Sequence, residues 1–334
     1  MEEEGTGSER ECGMSKLKIG AYWAASCGGC DVAILDIHEK VLKVNEACDF
    51  YLWPIAMDFK YEDVKKLKDD FLDLVLFNGA IRNSENEELA KLLRAKSKIL
   101  VAFGSCAHTG GIPALANFYT KDDLLRRVYL ETESTSNPDK ILPQPKTEVK
   151  EGVVEIPEFY DRVKSLAQVV AVDYFVPGCP PNPDRIWEVL EAVVTGAELP
   201  LKGAVLGATN KSLCDECERE RSEEKKIKAF KRIDTYIPDP NTCFLDQGLI
   251  CLGPVTRGGC GQQCVKGSNM PCRGCYGLPP DIQDQGAQMI SSLAALIDSK
   301  DPEEIENIVQ QIPDLAGYCY RFSMAESFLK GSKQ

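Results

Sequence analysis

Fifteen cysteines in 334 residues restrict this chain more than any other feature. An odd number of thiols cannot be fully paired. The opening stretch, Met1 to Lys16, is acidic and Gly/Ser-rich, with no apolar run of the secretory kind and no twin arginine. It reads as a disordered tail, and the chain as cytoplasmic, where thiols stay reduced. A disulfide framework is then a poor account of the cysteines, and metal ligation a good one. Two histidines are too few for a His-rich metal enzyme.

Length and composition agree with a folded protein. At roughly 100–200 residues per domain the chain has room for about two, and 43% hydrophobic residues supply a core. A net charge of −13 leaves no basic footprint for nucleic acid and opposes an anionic membrane surface. No apolar run approaches the roughly 20 residues of a membrane span.

Up to about residue 205 the pattern alternates. KIGAYW (18–23), 50–55, LDLVLF (72–77), KILVAF (98–103) and a stretch within 168–176 read as strands. Helical spacing covers 33–44, 63–68, 86–95 and 184–195. Alternation of this kind predicts an α/β domain with a parallel sheet covered on both faces. The polar, proline-bearing stretch 131–157 reads as a surface insertion. The charge run 216–231 reads as a solvated helix, and 286–297 and 302–311 as helices that pack back on the first domain.

Cys27, Cys30, Cys106 and Cys179 each follow one of these strands, and each has glycine beside it: Gly28, Gly29, Gly104 and Gly178. In an open parallel sheet, loops at the carboxyl ends of strands converge on one crevice. Glycine lets backbone approach a bulky centre. Four thiolates at one place suit [4Fe-4S] or zinc. The blander readings are a thioredoxin-type pair at Cys27/Cys30 and buried structural thiols at Cys106 and Cys179. Between 214 and 275 lie eight more cysteines among many Gly and Pro residues. Such a segment has little periodicity with which to build a core, so metal centres must cross-link it. A sequential split gives Cys214, Cys217, Cys243 and Cys251, then Cys260, Cys264, Cys272 and Cys275. Two zinc ribbons would share the C-x2-C pairs, but 214–217 and 272–275 lie too far apart for one compact ribbon.

Taken with their neighbours, these residues resemble the small subunit of nickel–iron hydrogenases. The segments that carry the likeness are KIGAYWAASCGGCDVAILD (18–36), GSCA (104–107), PGCPP (177–181), CLGPVT (251–256) and CRGC (272–275). Cys214 stands where many members have a histidine, and Cys264 supplies a fourth ligand where many have a three-iron centre. Both departures are similar to the cytosolic archaeal-type subgroup, nearest to the methyl-viologen-reducing type, with the deazaflavin-reducing type as sibling. The related quinone-linked complex subunit uses adjacent cysteines, and Cys27 and Cys30 are not adjacent.

The resemblance implies a flavodoxin-like domain over 17–205 and an irregular, partly helical iron–sulfur domain over 206–334. It implies three [4Fe-4S] clusters: proximal (Cys27, Cys30, Cys106, Cys179), medial (Cys260, Cys264, Cys272, Cys275) and distal (Cys214, Cys217, Cys243, Cys251). The implied partners are a large subunit with the nickel–iron centre, a small [2Fe-2S] acceptor subunit and heterodisulfide reductase. No residue of this chain is then expected to act as acid, base or nucleophile. Backbone N–H groups near Gly258, Gly259, Gly261 and Gly274 are expected to hydrogen-bond to cluster sulfurs. Cys12, Cys48 and Cys319 read as idle or buried thiols, His38 as an unassigned mid-helix residue, and His108 as structural.

Overall fold

The computed structural model describes residues 16–224 and 226–329; Cys12 and nearly all of the expected tail lie outside them. The chain begins β1 (Leu17–Trp23), α1 (Gly29–Leu35), α2 (Lys40–Ala47), β2 (Cys48–Leu52), α3 (Tyr61–Lys66), β3 (Leu72–Asn78), β4 (Ile81–Asn83), α4 (Ser84–Lys96), β5 (Ser97–Phe103) and α5 (Ser105–Thr109). It continues through α6 (Lys121–Arg126), β6 (Lys146–Val149), β7 (Gly152–Glu155), β8 (Phe159–Lys164), β9 (Tyr174–Val176) and α7 (Pro183–Val194). Three helices close it: α8 (Gln285–Leu296), α9 (Pro302–Val309) and α10 (Leu315–Cys319).

Five strands form one parallel sheet in the order β2-β1-β3-β5-β9. Counting only these strands, that is the 2-1-3-4-5 order of flavodoxin-like folds, with its switch point between β1 and β3. The strands read as unbroken apolar runs because both faces are covered. Alternate residues serve opposite faces. Ile19, Leu74, Leu76, Val101 and Phe103 meet Ile34 of α1 and Ile186 and Leu190 of α7. Tyr22, Val75, Phe77, Leu100 and Ala102 meet Val64 of α3 and Leu89 and Leu93 of α4.

Two helical expectations need correction. The span 33–44 is two helices, not one. His38 sits between them, exposed, at φ +59°, a left-handed conformation that stops helix propagation. The run 216–231 is not a helix. Its side chains are spent on loop contacts: Glu216 accepts from Thr209 Oγ1 at 3.0 Å and from Gly259 N at 2.9 Å, while Ser222 N donates to Asp246 Oδ2 at 2.7 Å. Its described residues form bends and turns, tied by isolated bridges from Glu220 to Thr242 and from Ile227 to Ile297.

The insertion 131–157 lies on the surface and ends in an exposed β6–β7 hairpin. A small antiparallel pair, β4 with β8, carried no signal in the sequence. Among the described residues from 206 to 284 there are only short 3-10 and π turns and isolated bridges. The closing helices and the 3-10 turn after them, Met324–Glu326, pack with residues of the first half: Met289, Ile308, Met324 and Ala325 share a core with Ala80, Cys106, Ala114 and Val163. Hydrogen bonds reinforce that joint. Thr109 Oγ1 donates to Phe322 O at 2.5 Å, Gln168 Nε2 donates to Ala325 O at 2.8 Å, and Ser165 Oγ meets the Glu326 carboxylate. Among the described residues, no helix is long and apolar enough to cross a membrane.

Candidate metal centres

The first group of thiols forms at the carboxyl ends of β1, β5 and β9. Cys27 lies in the loop after β1, Cys30 and Cys106 in the first turns of α1 and α5, and Cys179 beyond β9, joined to Pro180 by a cis peptide. β3 carries no cysteine but braces the group. Asn78 at its end accepts from Ser26 Oγ at 3.2 Å and donates to Asp31 Oδ2 at 2.6 Å; Trp53 Nε1 donates to Asp31 Oδ1 at 3.0 Å. Burial pushes the Cys30 thiol up, and the sulfurs of Cys106, Cys179 and Cys27 add to the shift. Burial, with Cys179 and Cys27, pushes Cys106 up to about 12. Each thiol therefore stands in the field of the other three. Gly104 (φ +84°) lies against them so closely that a Cβ there would overlap Cys30 Sγ, and one at Gly111 would stand 2.6 Å from Cys106 Sγ.

Cys214, Cys217, Cys243 and Cys251 make a second group. Cys214 sits on a short turn whose start is fixed by reciprocal bonds between Ser212 and Asp215. Its thiol is pushed up to about 12 by burial and then by Cys251, Cys243 and Cys217, with Arg221 opposing. Burial raises Cys251 to about 11.

The third group, Cys260, Cys264, Cys272 and Cys275, lines a single cavity of about 260 Å³ together with Cys179. Burial raises Cys272 well above the usual thiol range, with Cys251 and Cys275 adding to it, and raises Cys275 to about 12. The groups touch in series. Cys275 accepts a hydrogen bond from the Cys179 N–H, and Cys272 N donates to Cys251 Sγ at 3.3 Å. The spatial order is thus first, third, second.

Backbone N–H groups aim at many of these sulfurs, by a rule that the cysteine spacing does not reveal. The N–H two residues after the cysteine donates back to it in four cases: Leu245 to Cys243, Gly253 to Cys251, Gln262 to Cys260 and Gly274 to Cys272. Asp246, Gln263 and Ile112 add donors to Cys243, Cys260 and Cys106. Gly274 is among the expected donors. Gly258 and Gly259 are not: their N–H groups go to Lys211 O at 3.0 Å and Glu216 Oε2 at 2.9 Å, because Glu216 reaches into that loop. Cys48 and Cys319 are buried in hydrophobic cores outside the three groups. His108 stacks on Phe175 at 4.9 Å between ring centroids, and burial, with Arg257, pushes its pKa down to about 4. Tyr22 is core, while Trp23 stays part-exposed with its ring over Gly28.

All-sulfur sets of four, with amide donors on the sulfurs and glycines where a Cβ would intrude, fit iron–sulfur cubes. Among the described residues, no group of three or more His, Cys, Asp or Glu side chains is placed to hold a single metal ion.

Residues 27–193 match the family model described as NADH ubiquinone oxidoreductase, 20 Kd subunit. The chain is 41% identical to the iron–sulfur subunit of the F420-non-reducing hydrogenase of Archaeoglobus profundus, over 92% of this chain and 96% of that one. It is 36% identical to the matching subunit of the F420-non-reducing hydrogenase of Methanothermobacter thermautotrophicus, over 94% and 96%. The delta subunit of the NAD-reducing hydrogenase HoxS of Cupriavidus necator is 28% identical over 57% of this chain and 84% of its own.

Proposed function

Because the chain belongs to the family of hydrogenase small subunits found in the F420-non-reducing hydrogenases, we propose that it carries electrons from dihydrogen oxidation in a nickel–iron large subunit to an iron–sulfur partner. It does so in the cytoplasm, through three [4Fe-4S] clusters: the proximal held by Cys27, Cys30, Cys106 and Cys179, the medial by Cys260, Cys264, Cys272 and Cys275, and the distal by Cys214, Cys217, Cys243 and Cys251. The receiving partner is a small [2Fe-2S] subunit that feeds heterodisulfide reductase. When bound, such clusters supply one-electron storage at potentials set by ligands, hydrogen bonds and exposure. The chain supplies the thiolates, the amide donors and the spacing.

The observation that carries this reading is the serial contact of the three thiol groups, through Cys179 with Cys275 and Cys272 with Cys251. A structural metal site has no need of such a chain of contacts, whereas electron relay does. The relatives' names, F420-non-reducing, support this output over reduction of the deazaflavin. The test is elemental analysis of this chain from anaerobically purified complex. Roughly twelve irons and as many labile sulfides are expected. Two or three zincs without iron would overturn the reading.

A further inference from the structure

Arg219 follows Cys217 by two residues and turns back over the loop that holds Cys243. Its Nη1 donates to Asp239 O at 2.7 Å and to Thr242 O at 2.9 Å, and its Nη2 donates to Asn269 Oδ1. The Asn269 amide is fixed in that sense. Its Nδ2 donates to Pro238 O at 2.9 Å, and a carbonyl can only accept. The guanidinium lies over the Phe244 ring, 3.8 Å from its centroid. The main chains beneath are joined as well: Glu220 N donates to Asn241 O at 2.8 Å, and Cys243 N to Glu220 O at 2.7 Å.

Every acceptor in this set is neutral. Among the described residues, no carboxylate forms an ion pair with Arg219. The Asp239 carboxylate is turned to its own loop, where it accepts from Asn241 N at 3.0 Å and Thr242 Oγ1 at 2.7 Å. Lys266 is instead paired, with Glu218 at 2.7 Å. Arg219 is half-buried and keeps its charge at any working pH. The loop needs N–H donors, which a neutral side chain could supply in part. A cation kept there, at a cost in lost hydration, calls for negative charge within reach. The sulfurs meet that need. Standard bond lengths put the Cys243 sulfur no more than about 6 Å from Thr242 O, and so within roughly 9 Å of the nitrogen bonded to it. Four thiolates outweigh the positive charge of the cube they hold, so a filled site is anionic.

We propose that Arg219 is the counter-charge of the distal cluster and raises its reduction potential, favouring the last step of the electron along the chain. The inference rests on the reading of Cys214, Cys217, Cys243 and Cys251 as cluster ligands. An electron arriving from the medial site makes the distal site one charge more negative, and a fixed cation at that range favours the added charge. The potential of such clusters follows the net charge around them. No covalent bond changes and no proton moves.

The test uses the anaerobically purified complex as wild type and as Arg219→Gln, Arg219→Lys, Asn269→Asp and Cys214→Ser. Each is assayed for iron and titrated potentiometrically with electron paramagnetic resonance as readout. Cys214→Ser marks the distal couple by altering it. Arg219→Gln is expected to keep its iron and make that couple about tenfold harder to reduce, a shift of ~59 mV for a one-electron couple. Asn269→Asp leaves the arginine in place and offsets its charge, so it moves the couple the same way. Arg219→Lys keeps the charge and moves it least. Full iron with no shift in Arg219→Gln and Asn269→Asp would overturn the proposal. So would equal shifts in Arg219→Lys and Arg219→Gln, which would assign the effect to loop geometry. Loss of about four irons from all three would also overturn it, leaving Arg219 a structural anchor. Absence of iron from the wild type would instead defeat the cluster reading beneath it.

Discussion

At Gly104 the backbone leaves room for a hydrogen and nothing larger. Its φ of +84° disfavours any L side chain, and a Cβ would occupy the place of Cys30 Sγ. Gly104→Ala is therefore expected to empty the proximal site alone, lowering iron by about four atoms per chain; full iron content in the purified variant would refute this. His108 offers a second residue-level test. Its folded pKa, about 4, lies below the unfolded 6.5. Between those values the unfolded chain takes up a proton that the folded chain refuses. Stability from this source is complete above pH 6.5, falls as pH drops through the window by up to ~1.4 kcal/mol per unit, and falls no further below about 4. His108→Gln should shrink the difference in denaturant midpoint between pH 7 and pH 5; an unchanged difference would contradict the assignment. At this scale the cysteines stood out in the sequence because thiols in such numbers have few other uses. Of the amide donors the sequence pointed to Gly274 but misplaced others at Gly258 and Gly259, because any residue but proline carries an N–H and only the turn geometry aims it.

Among the elements, the strands were the most legible, since burial on both faces leaves an unbroken apolar run that few other structures produce. What the sequence hid were features decided by tertiary contact. The break at His38 interrupts a run whose spacing is helical on both sides. The irregular path of 216–224 is held by Glu216 and Ser222 reaching loops 24 to 43 residues away. β9, only Tyr174–Val176, depends on Asp173 just before it. That carboxylate accepts from Arg94 Nη1 at 2.5 Å, Lys202 Nζ at 2.6 Å and Leu100 N at 2.8 Å. Burial alone would raise its pKa, but Lys202, Arg94 and the Leu100 N–H outweigh burial and hold it below the usual range. Its contribution is present above the ordinary carboxylate pKa and is lost as pH falls through the lower folded value. Asp173→Ala takes the carboxylate from Arg94, which keeps its carbonyl acceptors Ala171, Ser97 and Lys98, and leaves the Leu100 N–H without an acceptor. It is expected to lower unfolding stability by about 3 kcal/mol, and Asp173→Asn by less. Equal denaturation midpoints for Asp173→Ala and wild type would show that β9 is held otherwise.

For the molecule as a whole, the two halves differ in what stabilises them. The parallel sheet carries its own apolar core on both faces. The described residues of 206–284 have almost no regular structure and share a core with α8 to α10. Residues 322–326 add to the joint between the halves: Phe322 O, Ala325 O and the Glu326 carboxylate take bonds from Thr109, Gln168 and Ser165, beside those that Ser105 Oγ gives to Cys275 O and Asn182 Nδ2 gives to Cys260 O. A ribosome makes these residues after every group they fasten. Vectorial synthesis therefore lets these three bonds form later than those of Ser105 and Asn182, whose partners at 275 and 260 are made first.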